Sequence, residues 1–296
     1  MGLMRILVCV IGVCLTATTV MADYVGTARL LTEDYIGDRH DRWRTGSYQI
    51  GLLYDPDLPP PGFDTVEIRF VGEAVAPWNM DTPAPWDRPF AGVLTAMALG
   101  HRTREPLEFT AGLGLSLTGP QTGVDWIAER VHLGDNDLSG PTRRAQIPNE
   151  TYLHAETALA ARLMVRDQAA IRPYVGLTVG VEDLAMVGAD VILGRAGAGS
   201  MRSRDRVTGQ LLFDTATQTP GFALTLGGDM IYVQDSALFP DTWAGDAKAL
   251  RWRARGGVAW RGARGQMFYG LTWLSKEFDA QPEGQTVGSI HLNWKF

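Results

Sequence analysis

Along most of the chain apolar residues recur at every second position, and the residues between them are small or polar. Leu107, Phe109, Ala111, Leu113, Leu115 and Leu117 alternate with Glu108, Thr110, Gly112, Gly114 and Ser116. Leu153, Leu159, Leu163 and Val165 keep one phase, with His154, Glu156, Arg162 and Arg166 in the other. Ile171, Val175 and Leu177 face away from Arg172, Tyr174 and Thr178, and Leu250, Trp252 and Ala254 from Arg251, Arg253 and Arg255. The final residues set Ile290, Leu292, Trp294 and Phe296 against Ser289, His291, Asn293 and Lys295. A period of two over such lengths predicts β-strands with one apolar face. Twelve strands are expected, near 24–33, 45–54, 64–74, 91–100, 107–117, 151–166, 170–180, 206–214, 221–233, 248–260, 266–275 and 286–296.

The predicted connections are asymmetric. Those after the even-numbered strands are short: Asp55 to Phe63, His101 to Pro106, Asp167 to Ala169, Thr215 to Pro220 and Arg261 to Gly265. Those after the odd-numbered strands are mostly longer, above all the segment from Thr118 to Glu150. A soluble sandwich also alternates, but its turns carry no such asymmetry. Short turns on one rim, long loops on the other and an even strand count predict a twelve-stranded antiparallel transmembrane β-barrel with long extracellular loops and short periplasmic turns. The apolar face then points to lipid, and Trp252, Trp273 and Trp294 are lipid-facing or interfacial. Arg162, Arg166, Arg172, Arg251, Arg253 and Arg255 fall on the inner face, paired with Glu108, Glu156 and other carboxylates. Facing lipid at mid-bilayer, each would cost roughly 2–4 kcal/mol. A small barrel has room for such side chains, so no open pore is required. His154 and His291 are read as filling of the same interior.

Composition narrows the compartment. Residues 1–22 carry Arg5, an apolar run from Ile6 to about Leu15 and the small-residue site Val20-Met21-Ala22, which predicts a cleaved signal peptide ahead of a 23–296 barrel. Both cysteines, Cys9 and Cys14, lie in that leader, so the mature chain is expected to lack disulfides and thiolate nucleophiles. With 27 Lys+Arg against 33 Asp+Glu the net charge is -6, which excludes a basic nucleic-acid footprint. No apolar stretch after Ala22 approaches the ~18 residues of a transmembrane helix, so any crossing is by strands. The terminal aromatic Phe296 suits a client of the barrel-assembly machinery.

The strand order gathers polar residues at one rim. Glu33, Asp34, Asp38, His40, Asp41 and Thr45 bracket the first long loop, Asp87 and Arg88 end the second, and His132, Asp135, Asp137, Gln146 and Glu150 lie in the third. Alternation puts Glu33 on the face opposite Asp34, so both join one site only where the strand ends or bulges. Asp87 and Arg88 suit a structural ion pair, and His40 is a second loop histidine able to act as a base.

At these residues the chain resembles the lipid A 3'-O-deacylase family of outer-membrane barrels. The likeness lies in Glu33-Asp34, then Asp41-Arg42-Trp43-Arg44-Thr45-Gly46, then Asp87-Arg88-Pro89-Phe90-Ala91-Gly92. It continues in Gly119-Pro120 with His132 twelve residues after the proline, in Gln146 and Glu150, and in Pro173 to Gly176. It implies a twelve-stranded barrel that hydrolyses the 3'-linked acyloxyacyl group of lipid A, a component of lipopolysaccharide, in the outer leaflet with calcium and a histidine-activated water. His132 would be the base, Asp34 a calcium ligand or orienting group, Glu33 and Thr45 supports for substrate or oxyanion, and Asp135 or Asp137 a further metal ligand. The chemistry is coherent: neutral imidazole is a base near neutral pH, and a cation polarises an ester carbonyl. Calcium takes several oxygen ligands. The chain departs from the family at Glu33, where asparagine is usual, and at Ala128, where glutamine is usual. Two alternatives therefore stay open: a structural or pore-forming barrel whose site has decayed, and an outer-membrane phospholipase with an activated serine.

Overall fold

The computed structural model describes residues 22–57, 60–131, 138–196, 202–214, 219–243 and 245–294. Its strands are β1 (Ala22–Glu33), β2 (Trp43–Pro56), β3 (Thr65–Ala76), β4 (Ala91–Arg104), β5 (Leu107–Thr118), β6 (Glu150–Ala161), β7 (Leu163–Arg166), β8 (Ala169–Val179) and β9 (Glu182–Gly194). The short β10 (Arg202–Arg204) and β11 (Leu211–Phe213) follow, then β12 (Gly221–Ser236), β13 (Leu250–Arg261), β14 (Gly265–Leu274) and β15 (Gln285–Trp294). Neighbouring wall strands pair antiparallel, β6 and β7 form one interrupted strand along β8, and β1 pairs with β15 through Leu31 opposite Ile290. The wall is thus a closed barrel of twelve strands. Closure leaves no open edge to pair with another chain. No helix among the described residues is long and apolar enough to cross a membrane.

The faces are those of a barrel in lipid. Leu113, Leu153 and Phe222 are 64, 69 and 67 % exposed, while Gln49, Glu67, Arg69, Thr95 and Asp229 of the opposite phase are buried. Outward Trp252, Trp273 and Trp294 are exposed as expected.

The strand count holds, but the eighth strand is elsewhere. Residues 206–214 were expected in the wall; the wall strand is instead β9, joined to β8 by the two-residue turn Gly180-Val181. The connection 195–220 therefore belongs to the rim of the short turns, where it is long, and its described residues 202–214 lie in the lumen. There β10 and β11 pair as a hairpin, with Arg202 opposite Phe213. Its bonds radiate to strands all round the wall. Ser203 Oγ accepts from Arg69 at 2.6 Å, Arg206 donates to Thr95 at 3.2 Å, and Arg204 donates to Asp190 at 2.6 Å. Arg253 donates to the Arg206 carbonyl at 2.7 Å, and Gln210 to the Leu271 carbonyl at 3.2 Å.

The lumen is layered. At the periplasmic end Leu212 of the hairpin packs with Ala28, Leu30, Leu53, Ala223, Ala259 and Phe268. Above it, Arg253 and Arg255 share Asp229 while Arg255 and Arg204 share Asp190. Arg172 pairs with Glu108 at 2.6 Å as expected, whereas Glu156 pairs with Arg69. Arg166, expected to face inward, is exposed, because β7 lies at the barrel's lower edge. Nearest the outer rim, Arg44 meets Glu73, Glu182 and Glu277, and Arg251 joins the last two. Buried guanidiniums and carboxylates persist only when paired and hydrogen-bonded, and here each kind lies within reach of the other.

Candidate functional site

The outer rim gathers loop 34–42, which joins β1 to β2, with the start of β15. β1 ends at Glu33, so the alternation that would part Glu33 from Asp34 stops between them. The loop then folds back. The Asp34 carbonyl accepts from Gly37 N at 2.8 Å and Arg39 N at 3.1 Å, and the Asp34 N–H donates to the Thr45 carbonyl at 3.1 Å. Beyond β1 the loop keeps bonding to β15: Asp38 N donates to the Thr286 carbonyl at 3.0 Å, and Thr286 N to Asp38 Oδ2 at 3.2 Å. Gly37 permits this approach, since a Cβ there would lie 2.1 Å from the Thr286 oxygen.

Two residues pay for the reversal in backbone strain, Arg39 at φ 64° and Trp43 at φ 54°. The left-handed region is uncommon for non-glycine residues. Arg42, between them, has its guanidinium 4.6 Å from the Trp43 ring and 4.3 Å from the Trp78 ring, with salt bridges to Asp38 and Glu283 at 3.1 Å each. A register shift between Arg44 and Gly46 puts a bulge at Thr45, and both Arg44 and Thr45 are buried. A bulge re-aims side chains in this way.

The fold-back brings Glu33, Asp34 and Asp41 together, one carboxylate oxygen from each lying within 4.8 Å of the others. Asp34 is fully buried. Its Oδ2 accepts from Arg42 N at 2.8 Å and Gln285 Nε2 at 3.4 Å. No hydrogen bond of normal geometry reaches its Oδ1. Burial, then the Asp41 and Glu33 carboxylates, push the Asp34 carboxyl well above its ordinary range, only partly offset by Arg42 N–H and Thr45. A buried carboxylate with a free oxygen beside two others is an arrangement that a cation relieves. The donor set is all oxygen and fits a hard divalent ion.

The site opens outward. Glu33, Gly46, Ala74 and Gly92 are successive register partners across β1 to β4, a row on the lipid-facing side of the wall. The third outer loop packs its helix α1 (Val124–Val131) on that row: a Cβ at Gly92 would lie 2.6 Å from Val124, and Val124 clusters with Ala76, Met80, Phe90, Ala74 and Ala128. Ala128 is thus an apolar packing residue. The preceding turn Pro120–Thr122 contacts β4 and β5, and α1 contacts β3 and β4, so the chain advances towards Glu33. On α1, Trp126 and Ile127 are exposed. A second helix, α2 (Gly140–Arg144), starts at Ser139, whose hydroxyl accepts from Thr142 N.

Of the expected site residues, Glu33, Asp34 and Thr45 meet here. His132, Asp135 and Asp137 lie outside the described residues. Asp41, a rim residue by sequence but not assigned a role, is the third carboxylate, and Gln285 was not foreseen at all. Asp87 and Arg88 do not pair as expected. Asp87 accepts from the Trp78 and Arg88 backbone N–H groups, and Arg88 reaches Glu277. Burial pushes the Asp87 carboxyl up. His40 is at the rim with an exposed ring, 2.8 Å from the Asp38 carbonyl. Gln146 is buried against the Arg143 carbonyl. His154 and His291 are interior, the first 3.3 Å from Ser116 and the second 2.8 Å from Gln266.

The family described as "Outer membrane protein LpxR" matches residues 6–296 of the chain. Among solved structures, LpxR from Salmonella typhimurium superposes with a TM-score of 0.74 at 16 % identity, covering 92 % of this chain and 100 % of that one. The KdgM porin gives 0.40 at 7 % identity over 92 % of this chain and 98 % of that one. The β domain of the Bordetella autotransporter BrkA gives 0.43 at 9 %, over 93 % and 100 %. No curated protein sequence matches.

Proposed function

The chain belongs to the LpxR family of outer-membrane proteins, and from that premise we propose that it is a lipid A deacylase that hydrolyses the 3'-acyloxyacyl ester in the outer leaflet with calcium bound at Glu33, Asp34 and Asp41. One observation carries the reading: a three-carboxylate cluster around the buried Asp34, one of whose oxygens is open, set at the outer rim on the lipid-facing edge of the wall. An ester carbonyl of a lipid head lies at that depth and reaches the site from the side, without entering the barrel.

Calcium at this cluster would supply positive charge to polarise the ester carbonyl and stabilise its oxyanion. The residues do the rest. His132, which follows α1 in sequence, takes a proton from water as the water oxygen bonds to the carbonyl carbon. The ester C–O bond then breaks and the proton passes to the departing sugar hydroxyl. Thr45, beside Asp34, supports the substrate. Glu33, in place of the family's asparagine, adds charge to the cation site, which argues against decay. Asp135 or Asp137 could complete the ligand set.

Among the described residues the rival readings have no comparable site. The Ser116–His154 contact is fully buried in the lumen, out of reach of lipid. The hairpin and ion-pair layers occupy the path that a pore would use. The test is to incubate purified folded barrel with lipid A in detergent micelles and calcium and to weigh the products by mass spectrometry. Loss of the 3'-acyloxyacyl mass is expected, abolished by His132→Ala with unchanged heat-modifiable mobility; intact lipid A with abundant folded protein refutes the proposal.

A further inference from the structure

Gln285, the first residue of β15, lies across the barrel's closing seam from loop 34–42 and is 2 % exposed. Its side chain does what a strand neighbour would do. Oε1 accepts from Arg44 N at 3.1 Å, and Nε2 donates to the Arg42 carbonyl at 2.5 Å. These two backbone groups flank Trp43, the residue held at φ 54°. A strained backbone persists only where its surroundings over-determine it, and the carboxamide grips both sides of the strained residue. The same Nε2 lies 3.4 Å from Asp34 Oδ2.

The consequence is directional. With Arg42 N and Gln285 Nε2 both on Oδ2, one Asp34 oxygen is occupied, and no hydrogen bond of normal geometry reaches Oδ1. Arg42 N is itself part of the segment that Gln285 clamps. We propose that Gln285 is a positioning residue that presents Asp34 Oδ1 to the cation, through its own N–H and by fixing the Arg42–Arg44 backbone. This rests on the cation reading above but not on the reaction that the cation serves.

The test is calcium binding to the folded, detergent-solubilised barrel by isothermal titration calorimetry, which needs no turnover. Gln285→Met keeps the shape and removes the contacts with Arg44 N, the Arg42 carbonyl and Asp34 alike; the calcium Kd should rise at least tenfold. Gln285→Asn withdraws the amide by one carbon–carbon bond, about 1.5 Å. A withdrawal of that size carries both the 3.4 Å contact with Asp34 and the 2.5 Å contact with Arg42 out of hydrogen-bond reach, so it should weaken calcium binding even if the Met variant does not fold. Gln281→Met is the matched control. Gln281 is equally buried, accepts from Glu277 N at 2.7 Å and donates to the Glu283 carbonyl at 2.9 Å, yet does not touch Asp34. It should leave the Kd within threefold of the parent.

Parent-like affinity in folded Gln285→Asn or Gln285→Met overturns the role, as does an equal loss in Gln281→Met. A parent barrel that binds no calcium in the millimolar range overturns the cation reading itself, and this inference with it. A barrel that binds calcium but leaves lipid A intact overturns only the proposed reaction.

Discussion

Arg44 is the most heavily engaged cation at the outer end of the lumen, and its removal tests whether the ion pairs there hold the barrel together. Its guanidinium meets Glu182 at 2.7 Å, Glu277 at 2.8 Å and also Glu73, all with Arg44 itself 9 % exposed. In Arg44→Met the loss is uneven. Glu182 retains Arg251 at 2.9 Å and the Ser236 hydroxyl, and Glu277 retains Arg88 and Arg251. Glu73, 4 % exposed, loses the guanidinium that holds it. Breaking a buried pair by removing one partner costs about 3–5 kcal/mol, because the survivor is left charged and dry. The expected destabilisation is therefore about 3–5 kcal/mol, read as a shift in the urea midpoint of barrel refolded into lipid vesicles. Adding Glu73→Gln removes the stranded charge, so the double variant should regain most of that loss, whereas independent effects would add. A single variant within ~1 kcal/mol of the parent, or a double variant less stable than the single, would show that solvent or other side chains already compensate Glu73.

Other outcomes follow from the same structure. Replacing residues 197–219 by a short turn should give steady conductance in a planar bilayer where the parent gives none; a silent, folded deletion would mean the wall side chains alone block the lumen. Asp34→Asn, which keeps the shape and removes a charge, should lower lipid A deacylation on the order of a hundredfold or more, by analogy with the loss of one charge-stabilising group, measured as product mass against time. Asp41→Asn should weaken calcium binding as strongly as Asp34→Asn in calorimetry, and parent-like affinity would shift the ligand role towards Asp135 or Asp137.

The wall was legible because most strands obey one rule, apolar outward and polar or small inward. It failed at β9, where Val191, Ile192 and Leu193 are consecutive and Ile192 is buried. An apolar residue on the inner phase erases the alternation there. The hairpin's own Leu211-Leu212-Phe213 then passed for a wall strand. At the site, Glu33, Asp34 and Thr45 were visible as a sequence cluster. The part of Asp41 depends on a fold-back through φ 64° at Arg39, which no periodicity encodes. Gln285 is about 250 residues from Asp34 and meets it only because the last strand closes on the first. A polar residue opening the final strand of a barrel is the signal that could have pointed to it, since closure always makes the terminal strands neighbours.

That seam also explains how a lipid-facing site can stand on a barrel whose interior is so heavily charged. Burying many ion pairs is weak as a source of stability, because desolvation offsets most of the attraction. Its effect here is geometric: Arg44 anchors the start of β2 to Glu277 in the connection before β15, while its backbone N–H is held by Gln285 of β15. The strands on either side of β1 are thus tied to each other above the point where β1 ends, and loop 34–42 is confined between them. Confinement of that kind lets three carboxylates stay within one cation's reach when repulsion would spread them in a free loop. The charged lumen and the outward site are therefore parts of one arrangement. Disrupting Arg44 should loosen the proposed cation site as well as the barrel, whereas deleting the hairpin at the opposite rim should open the lumen and leave any calcium affinity unchanged.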